Sequence, residues 1–487
     1  MDKLIAADNK VHLQRDFRSS FDIVTKRDFL IPALLILSVI GSFLVLVLPF
    51  KLLMSAIFAI PAALILLSIL KNPYVGIMIF YLFEFLRPYD LLPGLAKLRI
   101  PMLTVITSTV AFIFIKALTD KSVKWDKFNW VFLSYIGVIA ITVVTAWNNR
   151  FAYNVFQSMM IYFVVMVIAT NVVNSTNRFK SLIWLLVAIH FYFAVKGILN
   201  YSGRSYSYGG MYSSGSVGSN FLNDENDFAM ALNTFVPFAF FMMLNFENIF
   251  KKIIGAGVLI TCVFGVVSSM SRGGWIGLVA AIGFSIFKSK YRVKGLAIAI
   301  FLAIALIAFA PSQYWSEVQS ISADSGTGKA RIEYWKAAVR MFMDNPLVGV
   351  GAANGGVRMP AYIVTDRDPN TQWGRTFHGT LPQVLAELGG LGILLYLTMI
   401  ILALRYLNRI GKMSQETQDG KILVYMANSL TAAIISYLVT ATFISTAYYP
   451  QLWALLTLSI TLFHISKQVQ SNERRIKPVA VAPGGGS

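Results

Sequence analysis

The sequence predicts an all-α protein that crosses a membrane many times, and both its composition and its apolar runs support this class. Of its 487 residues, 56% are hydrophobic and only 13% are charged. The apolar residues form runs of about twenty, which is the length that an α-helix needs to cross a bilayer. About fourteen such runs occur, near residues 29–48, 52–70, 73–86, 100–118, 129–147, 155–174, 180–199, 227–247, 253–270, 273–289, 295–310, 381–406, 421–446 and 451–466. We therefore predict a polytopic protein with about 12 to 14 transmembrane helices.

The basic residues give these helices an orientation. Lysines and arginines concentrate in the amino-terminal arm, residues 1–28, and in alternate connecting segments such as "TDKSVKWDK" and "KSKYRVK". Because basic residues are retained on the cytoplasmic side, we predict a cytoplasmic arm and a cytoplasmic tail at 467–487. The ending of this tail, "PGGGS", resembles a cloning remnant. The polar first thirty residues predict no cleavable signal peptide. This placement explains most of the formal charge of +19 without a nucleic-acid partner.

Two segments on the predicted outer side are long. The helical region 29–310 contains a Tyr-, Ser- and Gly-rich outer loop at 200–226, and residues 311–380 form the only segment of soluble-domain size before the last helices, 381–466. The segment 311–380 carries several basic residues: Lys329, Arg331, Lys336, Arg340, Arg358, Arg367 and Arg375. Basic residues on the outer side are contrary to the rule that they are retained in the cytoplasm, so they need another explanation. We predict that they bind an anionic ligand at the outer membrane face. The alternative is that long loops cross a membrane regardless of charge.

Within this outer segment, "GKARIEYWKAAVRMFMDNP" predicts an amphipathic helix. Ile332, Trp335, Val339 and Phe342 recur at helical spacing, and Asn345-Pro346 ends the pattern. The alternative is a helix that only lies on the membrane surface. The glycine-rich "LVGVGAANGG" that follows lacks the spacing of a P-loop, so no nucleotide site is predicted.

One of only four histidines, His378, stands just before an apolar run. Thr380 and Gln383 have the spacing of a capping box, which predicts that a helix begins near Thr380. The positive end of the helix dipole disfavours imidazolium and offers free N–H groups to a phosphate. His378 is therefore a candidate for a neutral general base; the alternative is a histidine that only anchors at headgroup level.

A second chemistry is suggested by Asp224, Glu225 and Asp227, because three carboxylates within four residues could hold Mg²⁺ or Mn²⁺. The alternative is a solvated loop before a helix whose N-terminus favours acids. Glu84 lies within an apolar run, and Arg87 at i+3 is its predicted structural partner. The single cysteine, Cys262, excludes an intrachain disulfide.

Five motifs together resemble the O-antigen ligase and O-antigen polymerase superfamily of bacterial envelope proteins. They are "ENDFA" at 225–229, "SRGGWIG" at 271–277, "ARIEYWKAA" at 330–338, "DNPLVGVGAAN" at 344–354 and "HGTLPQVLAELGGLG" at 378–392. The resemblance implies a membrane glycosyltransferase with a GT-C-like fold, located in the bacterial inner membrane with its active site facing the periplasm. The donor would be a glycan on undecaprenyl diphosphate, and the acceptor either lipid A-core, for a ligase, or another glycan, for a polymerase.

The resemblance also implies roles for individual residues. His378 matches the family's catalytic base, and Arg272 and Arg331 match its diphosphate-binding arginines. Further candidates for substrate binding are Arg340, Arg375, Asn226 and Asp227. The family implies no metal, no cofactor and no nucleic acid, and leaves membrane lipids as the remaining partners.

Two sub-patterns leave the choice between ligase and polymerase open. The ligase pattern has His followed by Asn, Ser or Gln, then nine residues, Gly, two residues and Gly. His378, Gly389 and Gly392 fit this pattern, but position 379 is Gly. The polymerase pattern of Arg, ten residues and Gly fits Arg340 and Gly351.

The rival class is a transporter or flippase, which fourteen spans would suit. Transporters typically show inverted repeats and ionisable residues at the membrane midplane. This sequence shows no internal repeat, and its polar residues concentrate on one outer face. The pattern therefore favours an enzyme at the membrane interface.

Overall fold

The computed structural model describes residues 50–88, 99–119, 122–202, 206–207, 210–211, 222, 224–245, 248–309, 326–364, 368–413 and 415–476. The predicted arm 1–28, the apolar run 29–48, most of the loop 200–226 and the end of the tail lie outside these residues. The chain divides into two units, Met1–Ser68 and Ile69–Ser487, and every site discussed below lies in the second.

The described residues are almost entirely helical. The helices are α1 Phe50–Lys71, α2 Pro73–Leu86, α3 Ile100–Thr119, α4 Lys127–Thr145, α5 Asn149–Val172, α6 Thr176–Ser202, α7 Glu225–Asn233, α8 Val236–Asn245, α9 Ile249–Ser268, α10 Arg272–Lys288, α11 Arg292–Phe309, α12 Gly326–Asp344, α13 Gly355–Tyr362, α14 Thr380–Ile410, α15 Gln418–Ala441 and α16 Pro450–Ile476. A 3-10 turn covers Pro369–Gln372, and two-residue strands, β1 Tyr206–Ser207 and β2 Gly210–Met211, pair antiparallel.

Among the described residues, nine helical segments are long and apolar enough to cross a membrane, with α7 and α8 counted together as Glu225–Asn245. α1 and α2 add shorter apolar stretches, Pro61–Lys71 and Pro73–Leu86. The predicted class, an all-α polytopic membrane protein, is therefore confirmed. The total of about 12 to 14 spans stays a prediction.

α10 and α15 approach each other closely near the start of α10. A Cβ placed on Gly277 of α10 would lie 1.9 Å from Thr440 Oγ1 of α15, so only glycine allows this separation. At the same level the Ser436 hydroxyl donates a hydrogen bond to the Gly277 carbonyl over 2.8 Å. Small residues and hydroxyls of this kind hold membrane helices together, where no hydrophobic force acts between helices.

α14 is broken at Gly389, whose φ of 65° and ψ of −161° lie outside the helical region. The backbone groups freed by the break pair with the glycine-rich segment 346–351. The Val350 N–H donates to the Ala386 carbonyl over 2.9 Å, and the Gly390 N–H donates to the Pro346 carbonyl over 2.7 Å. The break therefore joins α14 to the end of the outer segment that carries α12.

Gly389→Ala is expected to destabilise the protein by at least ~2 kcal/mol, because this backbone conformation is nearly restricted to glycine and a Cβ would also clash. That Cβ would lie 2.6 Å from the backbone carbon and oxygen of Leu347. Thermal unfolding of the purified protein in detergent measures the loss. The matched control is Gly283→Ala in α10, where nothing lies within 4 Å of the added Cβ. Equal midpoints for the two variants would contradict the role assigned to the break.

The predicted capping box is wrong, although α14 does begin at Thr380. Gly379 is the N-cap and offers no side-chain hydrogen bond. The Thr380 hydroxyl instead donates to the Ile444 carbonyl over 2.7 Å, and Gln383 Oε1 accepts from the Ala447 N–H over 3.2 Å. These side chains are used by the connection between α15 and α16, which lies against the start of α14.

The amphipathic helix in the outer segment is confirmed as α12, but its buried side is not the predicted one. Ile332 and Val339 are 50% and 47% exposed. The side facing the protein carries smaller residues and one tyrosine: Tyr334, Ala337, Ala338 and Met341. The small side chains allow α12 to lie close to its neighbours, which leaves the larger aliphatic residues outward.

Glu84 accepts a hydrogen bond from the Tyr162 hydroxyl over 2.9 Å, a partner that the sequence did not indicate. Arg87 ends α2 in a left-handed conformation, with φ of 46°.

Candidate active site

Arg272 is the first residue of α10 and is half-buried. The chain reaches it through Met270, which adopts a left-handed φ of 57°, and through the N-cap Ser271, whose hydroxyl accepts the Gly274 N–H over 2.9 Å. The same hydroxyl donates to Asn226 Oδ1 over 2.7 Å. Asn226 therefore positions the turn that presents Arg272, and α7 and α10 are joined next to this arginine.

Arg331 lies in the first turns of α12, with its guanidinium carbon 6.0 Å from the centre of the Phe443 ring. Phe443 also packs against the start of α10, since a Cβ on Gly273 would lie 3.0 Å from Phe443 Cβ. Burial lowers the pKa of Arg331, and the charge of Arg272 lowers it further, while Asp224 opposes the shift. Two half-buried guanidinium groups that repel each other are stabilised when an anion lies between them.

His378 precedes α14 and adopts a left-handed φ of 50°. The Trp335 indole N–H donates to the Phe377 carbonyl over 3.1 Å, and the His378 ring lies 6.0 Å from that of Tyr334. A non-glycine residue in this conformation costs of order 1–3 kcal/mol and persists only where its surroundings hold it. α12 therefore determines where the imidazole lies.

The pKa of His378 is lowered, first by burial and then by the charges of Arg331 and Arg375, with Asp224 opposing. The imidazole is therefore neutral at neutral pH and able to accept a proton. The shift also shows that Arg331 lies close enough to His378 to act on its charge. The charge of Arg272 affects the pKa of Arg331, and the charge of Arg331 affects that of His378, so residues from three distant parts of the sequence lie near one another.

The rate of any reaction that uses His378 as a base is expected to fall as the pH drops through the pKa of this group, which lies below the ordinary 6.5. Arg375 is exposed and holds that pKa down. Arg375→Gln should therefore raise the pKa and move the acid limb of the pH–rate profile to higher pH. Profiles of kcat/KM for both proteins measure the shift. A limb that moves to lower pH, or stays in place, would contradict this assignment.

The connection between α15 and α16, residues 442–449, touches most parts of the site, and we call it the 442–449 turn. Besides Phe443, it provides the Ser445 hydroxyl, which accepts the Gly379 N–H over 3.4 Å, and the Thr446 hydroxyl, 2.9 Å from that of Thr380. No pattern used to predict the site included this turn. The available signal was its run of polar and aromatic residues, "TFISTAYY", between two apolar spans.

Glu387 was also missed. It is 3% exposed, and its carboxylate accepts three close hydrogen bonds, from the Ala353 N–H at 3.1 Å, the Gly355 N–H at 3.1 Å and the Tyr448 hydroxyl at 2.7 Å. A buried carboxylate is stable only when it is satisfied in this way. Glu387 thus holds the glycine-rich segment and the 442–449 turn against α14. An acidic residue inside an apolar run was the available signal.

The acidic cluster is engaged in the fold. Asp224 is the N-cap of α7 and accepts the Asn226 N–H over 2.8 Å, and the 7%-exposed Asp227 accepts the Tyr449 hydroxyl over 3.2 Å. Within the described ranges, no three His, Cys, Asp or Glu residues are grouped so that they could hold a metal ion. Asp227 and Tyr449 thus join α7 to the 442–449 turn.

The remaining candidates differ in placement. The Arg340 guanidinium donates to the Tyr362 carbonyl over 2.8 Å, which ties α12 to α13. Arg375 is exposed near His378. Gly379, the departure from the ligase pattern, lies next to the Trp335 indole. A Cβ added to Gly379 would be 3.0 Å from the indole nitrogen. A larger residue at 379 would require the indole to shift.

The fold and this site define a polytopic membrane protein with two arginines and a neutral histidine at the ends of its helices. Residues 230–397 match the family described as O-antigen ligase, which confirms the resemblance. The match includes Arg272, Arg331 and His378 and ends before the 442–449 turn.

The chain is also similar to the teichuronic acid biosynthesis protein TuaE of Bacillus subtilis (strain 168), with 27% identity over 353 residues. The match covers 68% of this chain and 65% of TuaE, so the chain accounts for about two thirds of that relative's length.

Proposed function

We propose that this protein is a glycosyltransferase that moves a glycan from undecaprenyl diphosphate to an acceptor hydroxyl at the periplasmic face of the bacterial inner membrane. The family supports the coarser statement, a membrane protein that ligates or polymerises glycans. The observation that carries the finer statement is the pair of half-buried arginines, Arg272 and Arg331, beside a histidine whose pKa is lowered.

The chemistry follows from these groups. The acceptor oxygen attacks the anomeric carbon, and the bond from that carbon to the diphosphate oxygen breaks. Arg272 and Arg331 bind the diphosphate as its negative charge increases, because a guanidinium matches phosphate oxygens in bidentate fashion. His378 takes the proton of the acceptor hydroxyl. A single in-line displacement of this kind inverts the anomeric centre and needs no metal, cofactor or nucleotide.

Repeat-unit polymerisation is the second candidate, with a growing glycan as the acceptor in place of lipid A-core. Gly379 favours it, because the ligase pattern has Asn, Ser or Gln there and the space beside Trp335 is closed. The name of TuaE refers to teichuronic acid biosynthesis, which is consistent with an acceptor outside lipopolysaccharide.

A deletion strain distinguishes these activities through the sugar ladder on its surface. Loss of all attached glycan, with long lipid-linked chains accumulating, indicates a ligase. Loss of the long ladder, with a single repeat retained, indicates a polymerase. Accumulation of lipid-linked glycan on the cytoplasmic side only would indicate a flippase and overturn the proposal. Complementing the deletion strain with His378→Gln shows whether the change in the ladder comes from the lost reaction or from the absence of the protein.

A further inference from the structure

A second charged site lies away from the candidate active site. The ends of α8, α9, α10 and α15, together with the segment 289–291 that follows α10, line a cavity of about 300 Å³. Four lysines line it: Lys252, Lys288, Lys290 and Lys421. Its other polar lining includes Asn245, Ser289, Gln418 and Asn428. The proposed transfer reaction uses none of these residues.

The cavity lies at the other ends of the helices that form the active site. α10 begins at Arg272 and ends at Lys288, and its 17 residues place those ends about 25 Å apart. α15 begins with Gln418 at the cavity and ends at Ala441, next to the 442–449 turn. A span of this length crosses most of the hydrocarbon core. The cavity therefore opens toward the membrane face opposite the active site.

The charged side chains in the described lining of this cavity are all lysines. The described lining contains no aspartate or glutamate. No ion pair joins any of the four lysines to another described residue. Lys288 and Lys290 lie instead over aromatic rings, 5.8 Å from the centre of Phe284 and 5.0 Å from that of Tyr291. Lys252 and Lys288 are half-buried and Lys290 and Lys421 are exposed, and an anion bound among their ammonium groups would relieve the repulsion between them.

The surroundings indicate what kind of anion fits. Buried Phe241, Ile422 and Val424 form apolar parts of the lining. Phe250 on α9 and Phe287 on α10, which lie close in sequence to the lining residues Lys252 and Lys288, are exposed. A molecule with a phosphate and acyl chains would place the phosphate among the lysines and the chains along these aromatic residues. Basic pockets between transmembrane helices bind lipid headgroups in this way.

We propose that this cavity binds the phosphate of an anionic phospholipid from the leaflet opposite the active site. The bound headgroup joins the start of α9, the end of α10, the segment 289–291 and the start of α15. A soluble phosphate could also bind among these ammonium groups. The experiment must therefore distinguish free phosphate from a phospholipid headgroup. The proposal is independent of the transfer reaction and would stand if that reaction were wrong.

The test uses the full-length protein purified in detergent. Native mass spectrometry counts retained lipid, and thermal unfolding reports binding, during separate titrations with phosphatidylglycerol, phosphatidylcholine and inorganic phosphate. The test variant is Lys288→Gln/Lys421→Gln. The matched control is Lys180→Gln/Lys412→Gln, which removes the same charge outside the cavity lining. Lys180 follows Thr176, which bonds Asp419 in the first turn of α15, and Lys412 follows the end of α14, so both lie on the same membrane face.

We expect one phosphatidylglycerol to remain bound to the wild-type protein and to the control, and to raise their unfolding midpoints. Each lysine near an anionic headgroup contributes about fivefold to affinity, so the test variant, which lacks two lysines, should bind about 25-fold more weakly. Phosphatidylcholine should have little effect. If inorganic phosphate displaces the lipid and alone raises the midpoint, the site is an anion site for a soluble ligand and the lipid assignment is overturned. Equal binding of both lipids, or equal loss in both variants, would overturn the whole proposal.

Discussion

His378→Ala is expected to lower glycan transfer by about 10²- to 10⁴-fold, which is the range that a positioned general base contributes. Donor binding should be unchanged, because in the proposed mechanism the imidazole acts on the acceptor hydroxyl and the arginines bind the diphosphate. His378→Gln should fail equally, since glutamine accepts a hydrogen bond but cannot take the proton. Initial rates and donor affinity of the purified protein measure the two effects separately.

A loss of activity in His378→Ala has two possible causes. His378 has a left-handed backbone conformation, so the alanine variant could lose activity through a changed loop as well as through the missing imidazole. Asparagine tolerates this conformation better than alanine does, so His378→Asn is the structural control. All three variants should unfold at the wild-type temperature within a few degrees. Wild-type turnover in His378→Gln would remove the base from this account. Loss of donor binding in all three would place the residue in binding instead of proton transfer.

Arg272→Ala and Arg331→Ala are each expected to weaken use of the donor by about tenfold to a hundredfold, because a hydrogen bond to a charged group contributes about 1.5–3 kcal/mol. The loss should appear in kcat/KM for the donor and leave the apparent affinity for the acceptor unchanged. Lysine at either position should restore only part of the rate, since a point charge replaces a planar, bidentate group.

The control for Arg331 lies on the same helix. Lys336→Ala removes one cation from α12, but Lys336 is exposed and pairs with Glu333 over 2.8 Å, so donor use should stay near the wild-type value. Full activity in both lysine variants would show that charge alone suffices. Full activity in both alanine variants would remove the diphosphate site.

The sequence predicted the helices well because each one carries its own apolar pattern. The run predicted at 100–118 is α3, Ile100–Thr119, and that at 273–289 is α10, Arg272–Lys288. Arg272 at a helix start could also be predicted, because it follows a serine and two apolar runs flank it. Patterns of this kind reflect local periodicity, which the isolated segment already contains.

The parts that escaped prediction depend on contacts between distant segments. Thr380 and Gln383 have capping-box spacing, yet both bond to the 442–449 turn, more than sixty residues away. The break at Gly389 forms because segment 346–351 supplies hydrogen bonds to the opened backbone. The spacing of residues along one segment does not show whether a distant segment supplies a competing hydrogen-bond partner. The role of Glu387 was hidden for the same reason.

In the proposed mechanism, two arginines and a neutral histidine transfer a glycan from a lipid diphosphate without a metal. The most direct measurement is the initial rate at which the purified protein releases undecaprenyl diphosphate from its glycan-linked form, in excess EDTA and in Mg²⁺ or Mn²⁺. We predict equal rates in all three conditions, with Asp224→Asn and Asp227→Asn retaining activity and His378→Gln inactive. A rate abolished by EDTA and restored by either metal, together with inactive aspartate variants and an active His378→Gln, would contradict the account and assign the chemistry to the acidic cluster.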